Sequence, residues 1–235
     1  MGGYSAWEAH RPVIERIEIR LRKLPSAFDG YTIAQLTDIH YNEYLHESYY
    51  RHVVERVYDL HPDLIALTGD LVTTPLVHYE RAGVARATAP PCAEALSGLR
   101  ARDGVFAVLG NHDHYCSAPI VAAALRAKNI PVLVNEVRPI ARGGARIWLC
   151  GVDSWFGKSY RPKVALNAAP AEEYRVVMLH EPDCADDVAQ LGADFMMAGH
   201  SHGGQVRIPL LGAPVLPSKG RKYPIGLRTV NAMQL

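Results

Sequence analysis

Asp63-Leu64-Ile65-Ala66-Leu67-Thr68-Gly69-Asp70 is a short apolar run that stops abruptly in Gly-Asp. A run of this length, bounded by polar residues and a glycine, reads as a buried strand of a parallel sheet. It delivers a carboxylate at its C-terminal end, the edge where open α/β sheets bind ligands. A carboxylate there must be paired or hold a metal, because a bare buried charge is too costly. Other apolar runs end the same way. Tyr31 to Leu36 leads to Thr37-Asp38-Ile39-His40, and Val105 to Leu109 leads to Gly110-Asn111-His112-Asp113. Arg175 to Leu179 ends in His180, and Asp194 to Ala198 ends in Gly199-His200-Ser201-His202. Five of the eleven histidines therefore lie just past apolar runs, beside two Asp and an Asn. The pattern points to a metal site.

Outward from these blocks, the residues alternate between strand and helix signals. Residues 10–24 alternate charge with Ile17, Ile19 and Leu21, the pattern of a half-buried edge strand. Ser48 is placed to cap a helix with Tyr50, Val53, Val54 and Val57 at helical spacing, ended by His61-Pro62. A long connection from Val72 to Ala89, with a helical start near Tyr79, precedes a short helix opened by Pro90-Pro91. Pro119 starts a helix running to about Lys128, with Asn129 as a left-handed cap. Val132 to Val134 reads as a strand, and Val137 to Ile140 and Ala145 to Cys150 as a hairpin around Gly143-Gly144. Residues 153–170 are irregular with one amphipathic turn at Val164 to Leu166, and Asp183 is a candidate cap for a helix ended by Gly192. Parallel units in the first half and antiparallel pairing in the second suit two mixed sheets packed face to face with helices outside, an α/β fold.

The 235 residues suffice for a full two-sheet core, and no repeat or linker marks a second domain. Apolar residues at 49% and charged residues at 21% are those of a soluble globular protein, which suits the cytoplasm. A net charge of +1 supplies no field for a polyanion and argues against a stable nucleic-acid partner. Cys92, Cys116, Cys150 and Cys184 lack C-x-x-C spacing and read as reduced packing residues. No run approaches the ~18 apolar residues of a membrane span. Met1-Gly2 invites myristoylation, but Ala6 stands where Ser or Thr is needed.

Asp38-x-His40 and His200-x-His202 each put two donors two residues apart, so that on an extended segment both face one cation. Seven donors of this kind exceed what one ion gathers, so the count argues for two, with Asp70 the natural bridge. Two-metal hydrolytic sites hold their ions about 3.5–4 Å apart. Two divalent ions against Asp38 and Asp70 leave net positive charge, enough to hold an anion. The imidazole and carboxylate set suits Mn, Fe, Zn or Co and leaves their order open. Asp113 is placed to orient the His112 ring from behind. His46, His52, His61, His78 and His114 read as helix-face or loop residues.

The order Asp-x-His, Gly-Asp, Gly-Asn-His-Asp, His, Gly-His-x-His resembles that of the calcineurin-like metallophosphoesterases, from about Tyr31 to His202. The resemblance implies a four-layer α-β-β-α sandwich over the whole of 1–235, with its core at about 31–208. It implies one metal held by Asp38, His40 and His202, a second by Asn111, His180 and His200, and Asp70 between them. His112 would face the substrate as a catalytic group. The implied activity is hydrolysis of a phosphodiester by a hydroxide bridging the metals. A phosphomonoesterase using the same residues is the alternative, and a nuclease a weaker one.

The run Gly199 to Pro209 and the Pro/Gly-rich stretch to Gly226 are similar to the YkuE/YaeI-like bacterial phosphodiesterase branch, although Asn42 stands where that branch usually has Gly. That branch implies a small-molecule or lipid-headgroup phosphoester as substrate and a peripheral association with membranes. It also implies more chain at both ends, so the strand at Leu227 to Leu235 is expected to be cut short and an N-terminal anchor removed. Leu210 to Leu227 mixes Leu210, Leu211, Val215, Leu216 and Ile225 with Lys219, Arg221 and Lys222; an ordinary surface loop and a lipid-headgroup contact are both open. Tyr41, Tyr44, Tyr49 and Tyr50 leave a stacking surface and a packed helix entry equally open.

Overall fold

A computed structural model describes residues 12–42, 47–74, 81–208 and 210–235. The Gly-Asp run is a fully buried strand, as its lack of alternation requires: β2 (Leu64–Thr68). It lies between β1 (Ile33–Leu36) and β3 (Val105–Val108) in a three-stranded parallel sheet. Ile33 is level with Leu64, and Ile65 with Val105, so all three strands end at one edge. The second sheet runs β4-β5-β6-β7-β9-β8, built from β4 (Glu136–Arg142), β5 (Ala145–Gly151), β6 (Tyr174–Met178), β7 (Phe195–Met197), β8 (Thr229–Val230) and β9 (Met233–Gln234). The β4–β5 and β8–β9 pairs are antiparallel, and the pairs between them are parallel.

Alternate residues of each strand serve different layers. Leu64, Ala66, Phe106 and Val108 pack between the sheets with Leu149, Val176, Met178 and Met197. Ile65 and Leu67 face the helices α1 (Glu47–Tyr58), α2 (Arg81–Leu96) and α4 (Ala118–Ala127), through Val54, Val57, Ala89, Ala93 and Leu125. On the far side Cys150, Val177, Leu179 and Met196 meet Leu166 of α5 (Pro162–Asn167) and Val188 of α6 (Ala185–Gln190). The result is the expected α-β-β-α sandwich. A one-turn helix, α3 (Asn111–Cys116), starts where β3 stops.

Several local expectations are corrected. Residues 12–24 form no strand; Ile19, Leu21 and Leu24 tuck against the inter-sheet core without a ladder partner, and Ile17 is exposed. Pro90 and Pro91 do not open a helix but lie inside α2. Their missing N–H groups cost two hydrogen bonds, and burial of Ala85, Ala89, Cys92, Ala93 and Leu96 against the sheet carries the helix through. The helical start near Tyr79 lies outside the described residues, as do Tyr44, His46 and His78 and the whole myristoylation question. Val132 contributes one bridge to Ala107 in place of a strand. Asp183 caps no helix; its carboxylate accepts the backbone N–H groups of Arg221, Lys222 and Tyr223, holding the C-terminal loop instead. Leu227 to Leu235 is not one strand but the short β8–β9 hairpin. Asn129 is left-handed as expected, at φ 59°.

Candidate metal centre

The strand ends of both sheets converge. Asp38, His40 and Asp70 follow β1 and β2, Asn111 begins α3, and His180, His200 and His202 follow β6 and β7. Three groups of ligand atoms lie within 4.8 Å of one another: Asp38, His40 and His202; Asp70, His180 and His200; and His40, Asp70 and His112. The Asp38 and His40 pair converges for a reason other than an extended segment. Both have left-handed backbones, as do Asp70, His200 and His202, with φ between 45° and 68°. Asp and His tolerate this region better than most residues, but each still carries strain of order 1–3 kcal/mol. Strain concentrated in five residues of one cluster marks a site held in place by its surroundings.

Neighbouring backbone sets which ring nitrogen is free. His180 Nδ1 lies 2.7 Å from the Thr68 carbonyl and must donate to it, so Nε2 is left bare. His180 is fully buried, and its Nε2 makes no hydrogen bond of good geometry, with only the Asp70 carboxylate close by, at 3.1 Å. His200 Nε2 donates to the Ser218 carbonyl at 2.8 Å, which frees Nδ1. Asn111 Oδ1 is a second buried acceptor without a partner. Native interiors rarely leave such atoms unpaired. A cation would satisfy both.

On the other side, His40 Nε2 lies 3.2 Å from His202 Nε2, an arrangement two neutral rings share only through a cation or a proton. Asp38 Oδ1 is 3.3 Å from His202 Nε2. Asp70 Oδ2 reaches both sides, 3.1 Å from His180 Nε2 and 3.8 Å from His40 Nε2, and Asp38 Oδ1 also comes within 3.9 Å of His180 Nε2. Its other oxygen accepts the His112 N–H at 2.8 Å. Tight packing leaves no latitude here. At Gly69, with φ 99°, a Cβ would lie 2.6 Å from His180 Nδ1, and at Gly199 one would lie 2.5 Å from Asp38 Oδ2.

Without a cation the charges adjust to one another. Burial opposes the Asp70 carboxylate, but the His180 charge overcomes it and holds its pKa down to about 2. Burial likewise opposes charge on His180, and Asp70 more than offsets it, lifting the imidazole to about 10. Burial depresses His40 to about 4 and lowers His112. These residue types, carboxylate, amide and imidazole donors turned toward one another, fit divalent cations, which would take the place of the proton on His180.

The structure assigns Asp113 a different place. Its oxygens accept the backbone N–H groups of Leu71, Val72 and Gly110, so it ties α3 to the loop after β2 and does not orient the His112 ring. Burial, with Asp70 close by, pushes its carboxyl up to about 7. The ring of His112 is oriented by the Thr74 backbone N–H, which donates to Nδ1 at 3.0 Å. The proton of the neutral ring therefore sits on Nε2. His112 itself lies on the helix α3.

Other supporting residues escaped the sequence reading. His114, expected to be a plain surface residue, pairs with the buried Asp153 at 2.7 Å. Glu181 is fully buried, accepts Ser154 Oγ and the Trp155 N–H, and so braces the loop whose Phe156 ring lies 5.7 Å from His200. Asp153 follows an apolar run as Asp38 and Asp70 do, and that signal was present. A cavity of about 410 Å³ opens over Asp70, Asn111, His112, His200 and His202, with Val206, Pro214, Val215, Leu216 and Pro217 as an apolar wall.

Residues 31–204 match the family model described as calcineurin-like phosphoesterase, and the chain belongs to that metal-dependent family. It is 27% identical over 232 residues to the metallophosphoesterase YkuE of Bacillus subtilis, covering 96% of this chain and 78% of that one. It is 30% identical over 217 residues to the phosphodiesterase YaeI of Escherichia coli, covering 91% and 76%. Among solved structures, the NAD nucleotidase of Haemophilus influenzae shares the fold with a TM-score of 0.50 at 16% identity, over 73% of this chain and only 38% of that one. Among the described residues no helix is long and apolar enough to cross a membrane.

Proposed function

We propose that this chain hydrolyses phosphodiesters at a pair of divalent cations, one held by Asp38, His40 and His202 and the other by Asn111, His180 and His200, with Asp70 shared. The single observation that carries the reading is Asp70 Oδ2, which stands within 3.8 Å of a ring nitrogen from each cluster. The chemistry supplied by two bound divalent ions is charge that holds a phosphate anion, and acidity that makes water a nucleophile near neutral pH. The donor set suits Mn, Fe or Zn.

The protein's own groups do the rest. Asn111 ligates as a neutral amide, which preserves net positive charge for the anion. His112 presents Nε2–H to the cavity because the Thr74 N–H occupies Nδ1. That proton stabilises the departing oxygen, by hydrogen bonding or by transfer, a contribution of roughly 10²–10⁴ in rate. The apolar wall of Val206, Pro214, Val215 and Leu216 excludes water and accommodates a second ester substituent, which a monoester lacks. Similarity to a relative named as a phosphodiesterase supports the diester reading.

The test is a panel of p-nitrophenyl phosphate, bis-p-nitrophenyl phosphate and thymidine p-nitrophenyl ester, with Mn, Fe or Zn supplied in turn. The expected outcome is preferential turnover of the diesters, abolished by Asp70→Ala. Preference for the monoester would favour a phosphomonoesterase on the same residues. No turnover of any of them by protein holding two ions would sink the proposal.

A further inference from the structure

The segment from Pro217 to Pro224 supplies no candidate ligand, yet it is secured at two places beside candidate ligands. On one side it meets the turn that carries His200. The Ser218 carbonyl accepts from His200 Nε2 at 2.8 Å, and Ser201 Oγ donates to the Pro224 carbonyl at 2.6 Å. Gly220 is buried against the same turn, where a Cβ would stand 3.3 Å from Ser201 Cα. On the other side the segment meets Asp183, in the short 3-10 turn that follows His180. Asp183 Oδ2 accepts the Arg221 N–H at 3.0 Å, and Oδ1 accepts those of Lys222 and Tyr223 at 2.9 and 3.0 Å. The Asp183 N–H donates in turn to the Lys219 carbonyl at 3.0 Å. Backbone and carboxylate of one residue thus grip the same stretch of loop.

The grip holds a strained backbone. Lys219 sits at φ 70°, in the left-handed region, and such a conformation persists only where its surroundings enforce it. What the enforced turn achieves is the aim of the Ser218 carbonyl, one residue earlier, at the His200 ring. A neutral imidazole carries one proton, and a carbonyl at Nε2 keeps it there, so that Nδ1 presents its lone pair. Without that carbonyl the proton could sit on either nitrogen and the ring could turn. His200 clusters with Asp70 and His180, so the direction of its lone pair decides whether that cluster can close on a cation. Asp183 follows one of these histidines and, through the loop, orients the other.

We propose that Asp183 is a positioning residue for the cation held by Asn111, His180 and His200: by latching the loop it fixes the Ser218 carbonyl, and through it the tautomer and orientation of His200. The inference rests on the two-cation reading and adds to it an asymmetry. Among the described residues no side chain of Asp38, His40 or His202 bonds to the latched segment, so the other cation does not depend on it. Groups that hold a ligand from behind typically change metal affinity by about 10–100-fold when removed. Loss of the latch should therefore weaken one ion and spare its neighbour.

The test compares Asp183→Asn with Asp186→Asn in the full chain, with Mn as the ion. Asp186 contacts the same segment, but through the Lys222 ammonium and the Tyr223 hydroxyl. Both substitutions remove one carboxylate; only the first turns an NH2 group toward backbone N–H donors. Titration of the metal-free chain with Mn is expected to load two ions in the wild type and in Asp186→Asn. In Asp183→Asn one of the two should bind about 10–100-fold more weakly. Nitrogen NMR of the histidine rings, recorded without metal, gives a second readout. His200 should carry its proton on Nε2 in the wild type and in Asp186→Asn, and be a mixture of tautomers in Asp183→Asn. Should Asp183→Asn fail to fold, Gly220→Val, which pushes the loop off Ser201 with Asp183 intact, should weaken the same single ion. Wild-type His200 protonated on Nδ1, a folded Asp183→Asn that binds both ions as the wild type does, or equal weakening of both ions would each overturn the inference. A wild type that binds no divalent ion yet keeps the His200 proton on Nε2 would sink the two-cation reading and leave the latch on His200 standing.

Discussion

The two sheets bring different chemistry to the seam between them. The first supplies both carboxylates, Asp38 and Asp70, together with His40 and Asn111. The second supplies only imidazoles: His180, His200 and His202. Each candidate cation draws on both sheets, so neither edge makes a site alone. Among the candidate ligands all the negative charge lies on one side, and His180 is the second-sheet group that both carboxylates approach, at 3.1 and 3.9 Å. The centre is therefore a clasp as well as the proposed reaction site. Anything that removes the charge of the first sheet or the cations at the seam loosens the contact between halves.

The largest effect should come from Asp70→Ala, which removes the oxygen proposed to be shared by both cations. Losing several kcal/mol of charge stabilisation corresponds to about 10³ or more in rate. Metal analysis should show fewer than two ions per chain; full occupancy with normal turnover would mean that Asp70 bridges nothing. Next comes His112→Ala. It should keep both ions and lose roughly 10²–10⁴ in turnover on alkyl esters, and less on p-nitrophenyl esters, whose leaving group departs unprotonated. Loss of a metal with both leaving groups affected alike would make His112 a ligand.

Chelation tests the clasp directly. Ions held at about 10³ times their Kd stabilise by about 4 kcal/mol per site, and a chain of this size shifts about 2–4 °C per kcal/mol. With two sites, thermal melts should thus fall by roughly 15–30 °C with chelator and recover with Mn. A melt indifferent to chelator would deny that cations join the sheets.

The smallest effect is a pH trend in the metal-free protein. Asp113 is raised from 3.8 to about 7, so its folded form holds the proton more tightly and stability falls as pH rises across that window. His180 is raised from 6.5 to about 10, so its contribution is complete below 6.5 and lost as pH climbs through 10. Asp70, lowered to about 2, contributes above 3.8 and loses that only in acid. From about pH 4 to 6.5 the depressed His40 and His112 gain stability and offset the loss from Asp113, so the metal-free melting temperature should change little there and decline from about pH 6.5 to pH 10. Adding divalent ions should remove the decline at its alkaline end, since cations replace the proton on His180. A metal-free optimum near pH 9 would contradict the assigned pairings.

The candidate donors that the structure brings together were legible in the residues because they follow a local rule. An apolar run long enough for one buried strand, then Gly-Asp or Gly-His, names both the strand and the group at its end. The four layers were legible for the same reason, since strand and helix periods are written into neighbouring residues. What the chain could not declare locally is which distant backbone meets each polar side chain. Asp113 serves the N–H groups of Leu71 and Val72, some forty positions away, rather than the adjacent His112. Thr74 orients His112 across a similar gap, and Ser218 sets the tautomer of His200. Pro90 and Pro91 read as a helix start, yet packing against the sheet carries the helix past them. In each case the partner is chosen by the docking of one layer on another, because a buried polar group bonds to whatever the assembled neighbours place within 3 Å of it.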